Sequence, residues 1–145
     1  MANLKAAFVH RLEVRFRDCD AMGHINNAVY LTYLEQARFA HWRSLWGFGT
    51  PQLPPGLPGV ILAHVECDYK RPSRYGDALE IRLIVAAIGR SSFRYEYEIV
   101  DEEGRTVLTA QTVQVMYDYA AAKSVAIPDE IRSLLQRHGP ARGLV

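Results

Sequence analysis

Ala28-Val29-Tyr30-Leu31-Thr32-Tyr33-Leu34-Glu35-Gln36-Ala37-Arg38-Phe39-Ala40-His41-Trp42-Arg43-Ser44-Leu45-Trp46 is the stretch that decides the fold. Its spacing predicts one helix, about 28 Å long at ~1.5 Å per residue. Asn26 or Asn27 caps its start, because a short amide side chain accepts from the free N–H groups of a first turn. Gly47 stops it, as the residue that turns left-handed most easily. Apolar residues cover most of its circumference, and Glu35, Arg38 and Arg43 are the exceptions. A helix apolar on more than one side is normally surrounded, so the rest of the chain has to supply a wrapper.

The wrapper is visible on both sides of the helix. Leu12, Val14 and Phe16 alternate with Glu13, Arg15 and Arg17, the period of a half-buried strand. Val60 to Lys70, Asp77 to Ala87, Ser92 to Val100 and Thr106 to Tyr117 read as four more strands. Asp101-Glu102-Glu103-Gly104 is a hairpin turn signal. Short turns between successive strands favour antiparallel neighbours. Thr50 to Gly59, with its prolines and glycines, is a constrained loop. A short second helix runs from Pro128 to His138 and stops at Gly139-Pro140. The expectation is an α+β fold: one domain over residues 1–145, with about five antiparallel strands curled around a central helix. Open strand edges in such a sheet invite pairing with a second copy of the chain.

Composition narrows the function. The chain has 145 residues, a formal net charge of +1, 49% hydrophobic and 23% charged residues. That is ordinary for a soluble globular protein and gives no electrostatic argument for nucleic acid or a membrane surface. No apolar run approaches membrane-spanning length and no signal peptide is visible, so a cytoplasmic location is expected. Cys19 and Cys67 form no CxxC pair, and with His24 and His64 they lack paired zinc-ligand spacing, so no metal site is expected.

The chemistry concentrates ahead of the helix, in Arg17-Asp18-Cys19-Asp20-Ala21-Met22-Gly23-His24-Ile25-Asn26-Asn27-Ala28-Val29-Tyr30. A carboxylate beside the bare amides of a helix start can bind and cleave a carbonyl compound. The amides carry the positive end of the helix dipole, where charge building on a carbonyl oxygen is stabilised. Asp18-x-Asp20-x-x-Gly23 looks like the start of a calcium loop, but Met22 and Val29 stand where such a loop needs oxygen ligands. Read from the residues alone, Asp18 and Asp20 are turn or capping groups before they are catalytic ones.

The run from Asp18 to Tyr30, followed by Tyr33-Leu34-Glu35-Gln36-Ala37-Arg38, resembles the 4-hydroxybenzoyl-CoA thioesterase family of hotdog-fold proteins. Tyr69-Lys70-Arg71-Pro72-Ser73-Arg74-Tyr75-Gly76-Asp77 is a second matching stretch. The resemblance implies a hotdog fold, hydrolysis of an acyl-CoA or related thioester, active sites at a dimer interface and no cofactor. It places the catalytic carboxylate at Asp20 and the carbonyl-polarising helix-start amide at Asn27. It sets Arg90 among basic residues that meet CoA phosphates in some members. His24-Ile25-Asn26-Asn27 is more similar to the acyl-CoA and fatty acyl thioesterase branches than to the 4-hydroxybenzoyl type.

The remaining candidates carry two readings each. His24 orients the carboxylate or carries a proton, or it is a helix-start residue on a backbone carbonyl. His64 shares a strand face with Glu66 and Asp68, and serves either a partner subunit's site or a local polar contact. Tyr30 lines an acyl pocket or belongs to the core. Lys70, Arg71, Arg74 and Arg90 hold CoA phosphates or are solvated surface. Glu35 and Arg38, near one turn apart, form a pair. The expected protein is thus a homodimeric or homotetrameric (dimer of dimers) thioesterase acting on acyl-CoA. The alternatives are an acyl-thioester hydratase or dehydratase using His24 and Asp20, and a non-catalytic acyl-CoA-binding protein.

Overall fold

The computed structural model describes residues 8–46 and 58–137. The Gly47 stop, most of the proline-rich loop and the Gly139-Pro140 stop lie outside them. In chain order the elements are β1 (Phe8–Glu13), a 3-10 turn (Phe16–Asp18), α1 (Asn27–Trp46), β2 (Gly59–Tyr69), β3 (Ala78–Ile88), β4 (Ser92–Val100), β5 (Thr106–Asp118), β6 (Lys123–Ser124) and α2 (Asp129–Gln136). The strands form one antiparallel sheet in the order β1-β3-β4-β5-β2, with the short β6 added to β5. One face of this sheet packs against α1.

Phe93, Tyr95, Tyr97 and Ile99 of β4 are each at most 1% exposed and form the centre of the inner face. Leu79, Ile81, Leu83 and Val85 of β3 and Leu108 and Met116 of β5 flank them, equally buried. Fully burying each such side chain contributes roughly 1.5–3 kcal/mol. Trp42 from α1 meets Phe93 edge-on, with centroids 5.7 Å apart. Ile131 and Leu135 of α2 join the same core.

Two of the expectations change here. First, α1 is buried on one side of the single chain and not all round. Tyr30, Tyr33, Leu34, Ala37, Arg38, His41, Trp42 and Leu45 face inward, whereas Leu31 and Phe39 are 40% and 39% exposed. The inward face is also partly polar, because the sheet beneath it carries buried phenols that need partners. His41 Nδ1 lies 2.6 Å from the Tyr95 hydroxyl, and Arg38 donates through Nη1 to the Tyr97 hydroxyl at 3.2 Å. Tyr97 also meets Thr112 Oγ1 at 2.6 Å, and Gln114 Nε2 donates to that same threonine oxygen at 2.7 Å. Glu35 stays exposed, and no Glu35–Arg38 ion pair occurs among the described residues.

Second, the first strand ends at Glu13, before Phe16. Its alternation is interrupted by a side-chain clasp. Arg15 N–H donates to Asp18 Oδ2 at 3.0 Å and its guanidinium to Asp18 Oδ1 at 2.9 Å, which winds residues 16–18 into a 3-10 turn. Phe16 is turned outward and is 78% exposed.

β2 is an edge strand with a bulge at Ala63. Leu62 stands opposite Gln114 and His64 opposite Val113, so Ala63 has no partner. Directly opposed residues share a face. The inner face of β2 therefore holds Val60 and Leu62 before the bulge, and Val65, Cys67 and Tyr69 after it.

Tyr97→Phe keeps the ring in the core and removes the oxygen that receives Arg38. It is expected to destabilise the protein by roughly 1–3 kcal/mol, because a buried charged donor is left without that acceptor. Thermal unfolding followed by circular dichroism measures this as a lowered Tm with an unchanged native spectrum.

Candidate active site

A tight turn carries the candidate groups to the start of α1. Cys19 and Ile25 form a bridge, Asp20 N–H donates to the His24 carbonyl at 3.0 Å, and Gly23 N–H donates back to the Asp20 carbonyl at 3.0 Å. Gly23 takes φ of 83°, the left-handed conformation that glycine adopts at no steric cost. The Asp20 carboxylate is exposed and accepts Met22 N–H through Oδ1 at 2.9 Å. His24 is half-buried, with Nδ1 3.4 Å from the Ile25 carbonyl.

Of the two candidate caps, Asn26 takes the position. The Ala28 N–H donates to Asn26 Oδ1 at 2.9 Å and the Val29 N–H to the Asn26 carbonyl at 2.9 Å. Asn26 N–H itself donates to the Asp18 carbonyl at 3.0 Å. A helix leaves its first four N–H groups without intrahelical partners. Here three of them are met locally, and Asn27 N–H is the one with no acceptor among the described residues.

Asn27, His24, Ile25 and Tyr30 line a cavity of about 200 Å³ together with Tyr69, Lys70, Arg71 and Pro72. The structure thus brings His24, Asn27, Tyr30 and Lys70 to one place. Asp20 is not among the lining residues; it stands across the neck of the turn from His24. Tyr30 is only 3% exposed, so it serves the core and offers an edge to the cavity. Burial raises its phenol pKa, against the opposing effect of hydrogen bonding to Ser73.

Two candidates lie elsewhere. His64 is on the outer sheet face, where Nε2 meets Glu66 Oε1 at 2.9 Å. That contact lowers the Glu66 pKa. Arg90 sits in the β3–β4 turn, where its carbonyl accepts the Ile127 N–H at 2.8 Å. Antiparallel register puts that turn at the opposite end of the sheet from Tyr69, about 30 Å away at ~3.3 Å per strand residue. Within one subunit, Arg90 is outside the cavity.

Tyr69 was not foreseen. Its hydroxyl donates to the Asn27 carbonyl at 3.1 Å, and its ring lies edge-on to Tyr30 at 5.6 Å. This ties the last residue of β2 to the first residue of α1, a contact across 42 positions that no local pattern signals. A larger cavity, about 490 Å³, lies at the β1–β3 side among Arg11, Glu80 and Arg82. Both of its arginines, Arg11 and Arg82, pair with Glu80.

Asp18 underlies the whole turn and is 3% exposed. Besides Arg15 it receives the Tyr33 hydroxyl at 2.7 Å. Burial pushes its pKa up, but the hydrogen bonds from the Arg15 side chain, Tyr33 and the Arg15 amide outweigh this and hold it below the ordinary value. Tyr33 is pushed well up by burial and by Asp18. Asp18 is a structural anchor.

Comparisons with known proteins identify the family. A family model described as "Thioesterase-like superfamily" matches residues 14–135. A 1,4-dihydroxy-2-naphthoyl-CoA hydrolase of Synechococcus elongatus is 33% identical over 125 residues, 85% of this chain and 90% of that protein. The long-chain acyl-CoA thioesterase FadM of Escherichia coli is 27% identical over 129 residues, 88% of this chain and 96% of that protein. Among solved structures, a thioesterase of Thermus thermophilus complexed with coenzyme A and Zn superposes with a TM-score of 0.75 at 29% identity, covering 90% of this chain and 92% of that one. Among the described residues of this chain, no three His, Cys, Asp or Glu side chains cluster as metal ligands.

A carboxylate with a depressed native pKa stabilises the fold above its unfolded value and loses that contribution as pH falls through the native one. Asp18→Asn is therefore expected to lower Tm at neutral pH. The gap from the native protein should hold above about pH 5 and narrow below about pH 4, near the unfolded aspartate value. Melting curves of both proteins across this range measure the gap.

Proposed function

The chain belongs to the thioesterase-like superfamily, and on that premise we propose that the cavity beside Asn27 is where its substrate carbonyl is held. The protein is a thioester hydrolase acting on acyl thioesters. The observation that carries the assignment of the site is the Asn27 N–H, the one first-turn amide left without an acceptor among the described residues.

The mechanism follows from that group and the turn beside it. Asp20 acts as base: it takes a proton from water, and the water oxygen attacks the thioester carbonyl carbon. Charge moves to the carbonyl oxygen, which accepts from Asn27 N–H. The tetrahedral species collapses, the C–S bond breaks, and the thiolate leaves with a proton, giving free acid and thiol. Direct attack by Asp20, forming a mixed anhydride that water then opens, uses the same groups. With Nδ1–H on the Ile25 carbonyl, His24 presents Nε2 as an acceptor that can hold the water. Lys70 adds a cation at the cavity rim.

The site is completed by a second copy. The sheet ends at β2, and the cavity lies on that edge. Leu62 and Tyr69, on its inner face, are 47% and 49% exposed. Pairing β2 with β2 of another chain extends the sheet, covers these residues and makes a homodimer. The exposed Leu31 and Phe39 of α1 suit a doubling of that dimer. His64 and Arg90 reach a cavity only by way of a partner subunit. The free Cys19 and Cys67 suit a reducing, cytoplasmic compartment.

Proline favours the first position of a helix, where its missing N–H costs nothing structurally. Asn27→Pro is therefore expected to fold normally and lose roughly 10²–10³ in kcat, the usual cost of one oxyanion donor. Asp20→Asn should lose roughly 10²–10⁴. Both are measured by thiol release from a panel of acyl-CoA thioesters that spans chain length and aromaticity. Full turnover in folded Asp20→Asn removes that residue from the mechanism, and hydration of an enoyl-CoA without thiol release replaces the hydrolase assignment.

A further inference from the structure

Arg38 is a buried cation without a counter-charge. It faces inward at 7% exposure, and its one hydrogen bond among the described residues is the one that Nη1 donates to the Tyr97 hydroxyl. No carboxylate of the described residues lies within ion-pair distance of it. Glu35, the acid closest to it in sequence, stays exposed. Residues 1–7, 47–57 and 138–145 contain no Asp or Glu, so no acidic side chain outside the described residues can supply one either. Across Ala110 from Tyr97 stands Cys67, and burial pushes its thiol up, so it brings no negative charge. A guanidinium stays charged in a protein, and taking it out of water without an anion is costly. The chain's own side chains leave that anion to be supplied by a ligand or by a second copy.

The place of Arg38 on α1 favours a ligand. Asn27, Leu31, Leu34 and Arg38 are spaced i, i+4, i+7 and i+11, which sets them on one stripe of the helix. Leu34 is fully buried and Leu31 is 40% exposed, so the stripe follows the border where α1 leaves the sheet. Tyr33, on the far flank of the helix, meets Asp18 behind β1. The Arg38 border therefore looks toward the β2 edge, where Val65 and Cys67 are half-buried. The stripe begins at the amide assigned to the thioester carbonyl and ends at the cation, with leucine between. Three turns separate the two residues, and a helical side chain covers the turn before its own Cα, which leaves about 11 Å. A hydrogen bond at each end takes up part of that span, so about seven chain bonds of ~1.2 Å bridge the rest.

We propose that the acyl group this protein takes ends in a second carboxylate, which pairs with Arg38: the substrate is the half-thioester of a dicarboxylic acid about eight carbons long. The proposal rests on the thioester-hydrolase reading and specifies its acyl group. Arginine suits the task, because its planar fork grips a carboxylate through two parallel donors. The leucines carry the methylene chain between the two ends. An uncharged acyl chain of equal length leaves the cation as bare as before, so the two kinds of acyl group are told apart at their far ends. Binding there also holds the carbonyl in position for attack. A second copy is the rival source of the anion, but Glu66 and Asp68 of the β2 edge stand on the outer face of the sheet, away from the helix.

The test compares suberyl-CoA with octanoyl-CoA, which have equal carbon counts and differ in the terminal group. Native protein is expected to show a kcat/KM for suberyl-CoA about tenfold or more above that for octanoyl-CoA, the factor a hydrogen bond to a charged group contributes. That ratio should fall to about one in Arg38→Gln and lie between the two in Arg38→Lys, which keeps the charge and loses the fork. Calorimetric titration of native protein with the S-octyl and S-(ω-carboxyheptyl) thioethers of CoA, which cannot be hydrolysed, reads the preference apart from catalysis and should give the same order. The native protein decides the preference whether or not Arg38→Gln folds. Equal or weaker binding of the carboxylated thioether overturns the proposal, as does an unchanged ratio in folded Arg38→Gln. A native protein without the preference whose dimer loosens in Arg38→Gln overturns it too, and gives the anion to the second copy. A native protein that binds the thioethers in the expected order and hydrolyses neither thioester overturns the hydrolase reading alone.

Discussion

One buried carboxylate holds the chemistry of this protein in place. Asp18 receives the Arg15 amide and guanidinium and the Tyr33 hydroxyl on its side chain, and the Asn26 N–H on its carbonyl. Those contacts join three things that share no other reason to meet: the end of β1, the inward face of α1 and the helix cap. Taking a carboxylate out of water is unfavourable unless such partners are present, and here the partners are the site's own scaffold. The Asp20 turn and the Asn27 amide are then placed by the backbone on either side of it.

The second constraint is the polar underside of α1. A purely apolar seam would let the helix slide or roll over the sheet. The Arg38–Tyr97 and His41–Tyr95 contacts specify one register of helix on strands. This matters because the helix start is the candidate donor. Tyr69 adds the last tie, from the edge strand to the carbonyl of Asn27. The first turn of α1 is thus fixed from beneath, from the turn before it and from the side.

Much of this was legible in the chain. The strict alternation of Phe93, Tyr95, Tyr97 and Ile99 marks β4 at its observed ends, Ser92 and Val100. Asn26 was recognisable as a cap because capping is a local act. What failed was non-local or side-chain driven. Val14 and Phe16 share a parity, so alternation could not reveal that Asp18 winds residues 16–18 into a turn. Arg38 read as the partner of Glu35, because its phenolic partner lies 59 residues away. The apolar count of α1 was right, but counting cannot tell a surrounded helix from one whose remaining apolar residues stay uncovered in the single chain. Arg90 looked near the site by family resemblance, and strand register carried it to the other end. Tyr69 had no local signal at all.

The bulge in β2 has a consequence of another kind. The strand is written in two phases: even-numbered residues face inward before Ala63 and odd-numbered ones after it. Ala63 is the comma between them. A one-residue deletion there is the shortening that leaves the faces of the strand alone. Leu62 and His64 already stand opposite the consecutive residues Gln114 and Val113, so removing Ala63 closes the bulge and keeps His64, Glu66 and Asp68 outside and Tyr69 within. A deletion past the bulge would instead turn every later side chain, Tyr69 included, to the other face. In relatives of this chain, a gap aligned at Ala63 therefore marks a lost bulge and no change of side, and lengths of β2 can be compared between such sequences only after the bulge has been counted.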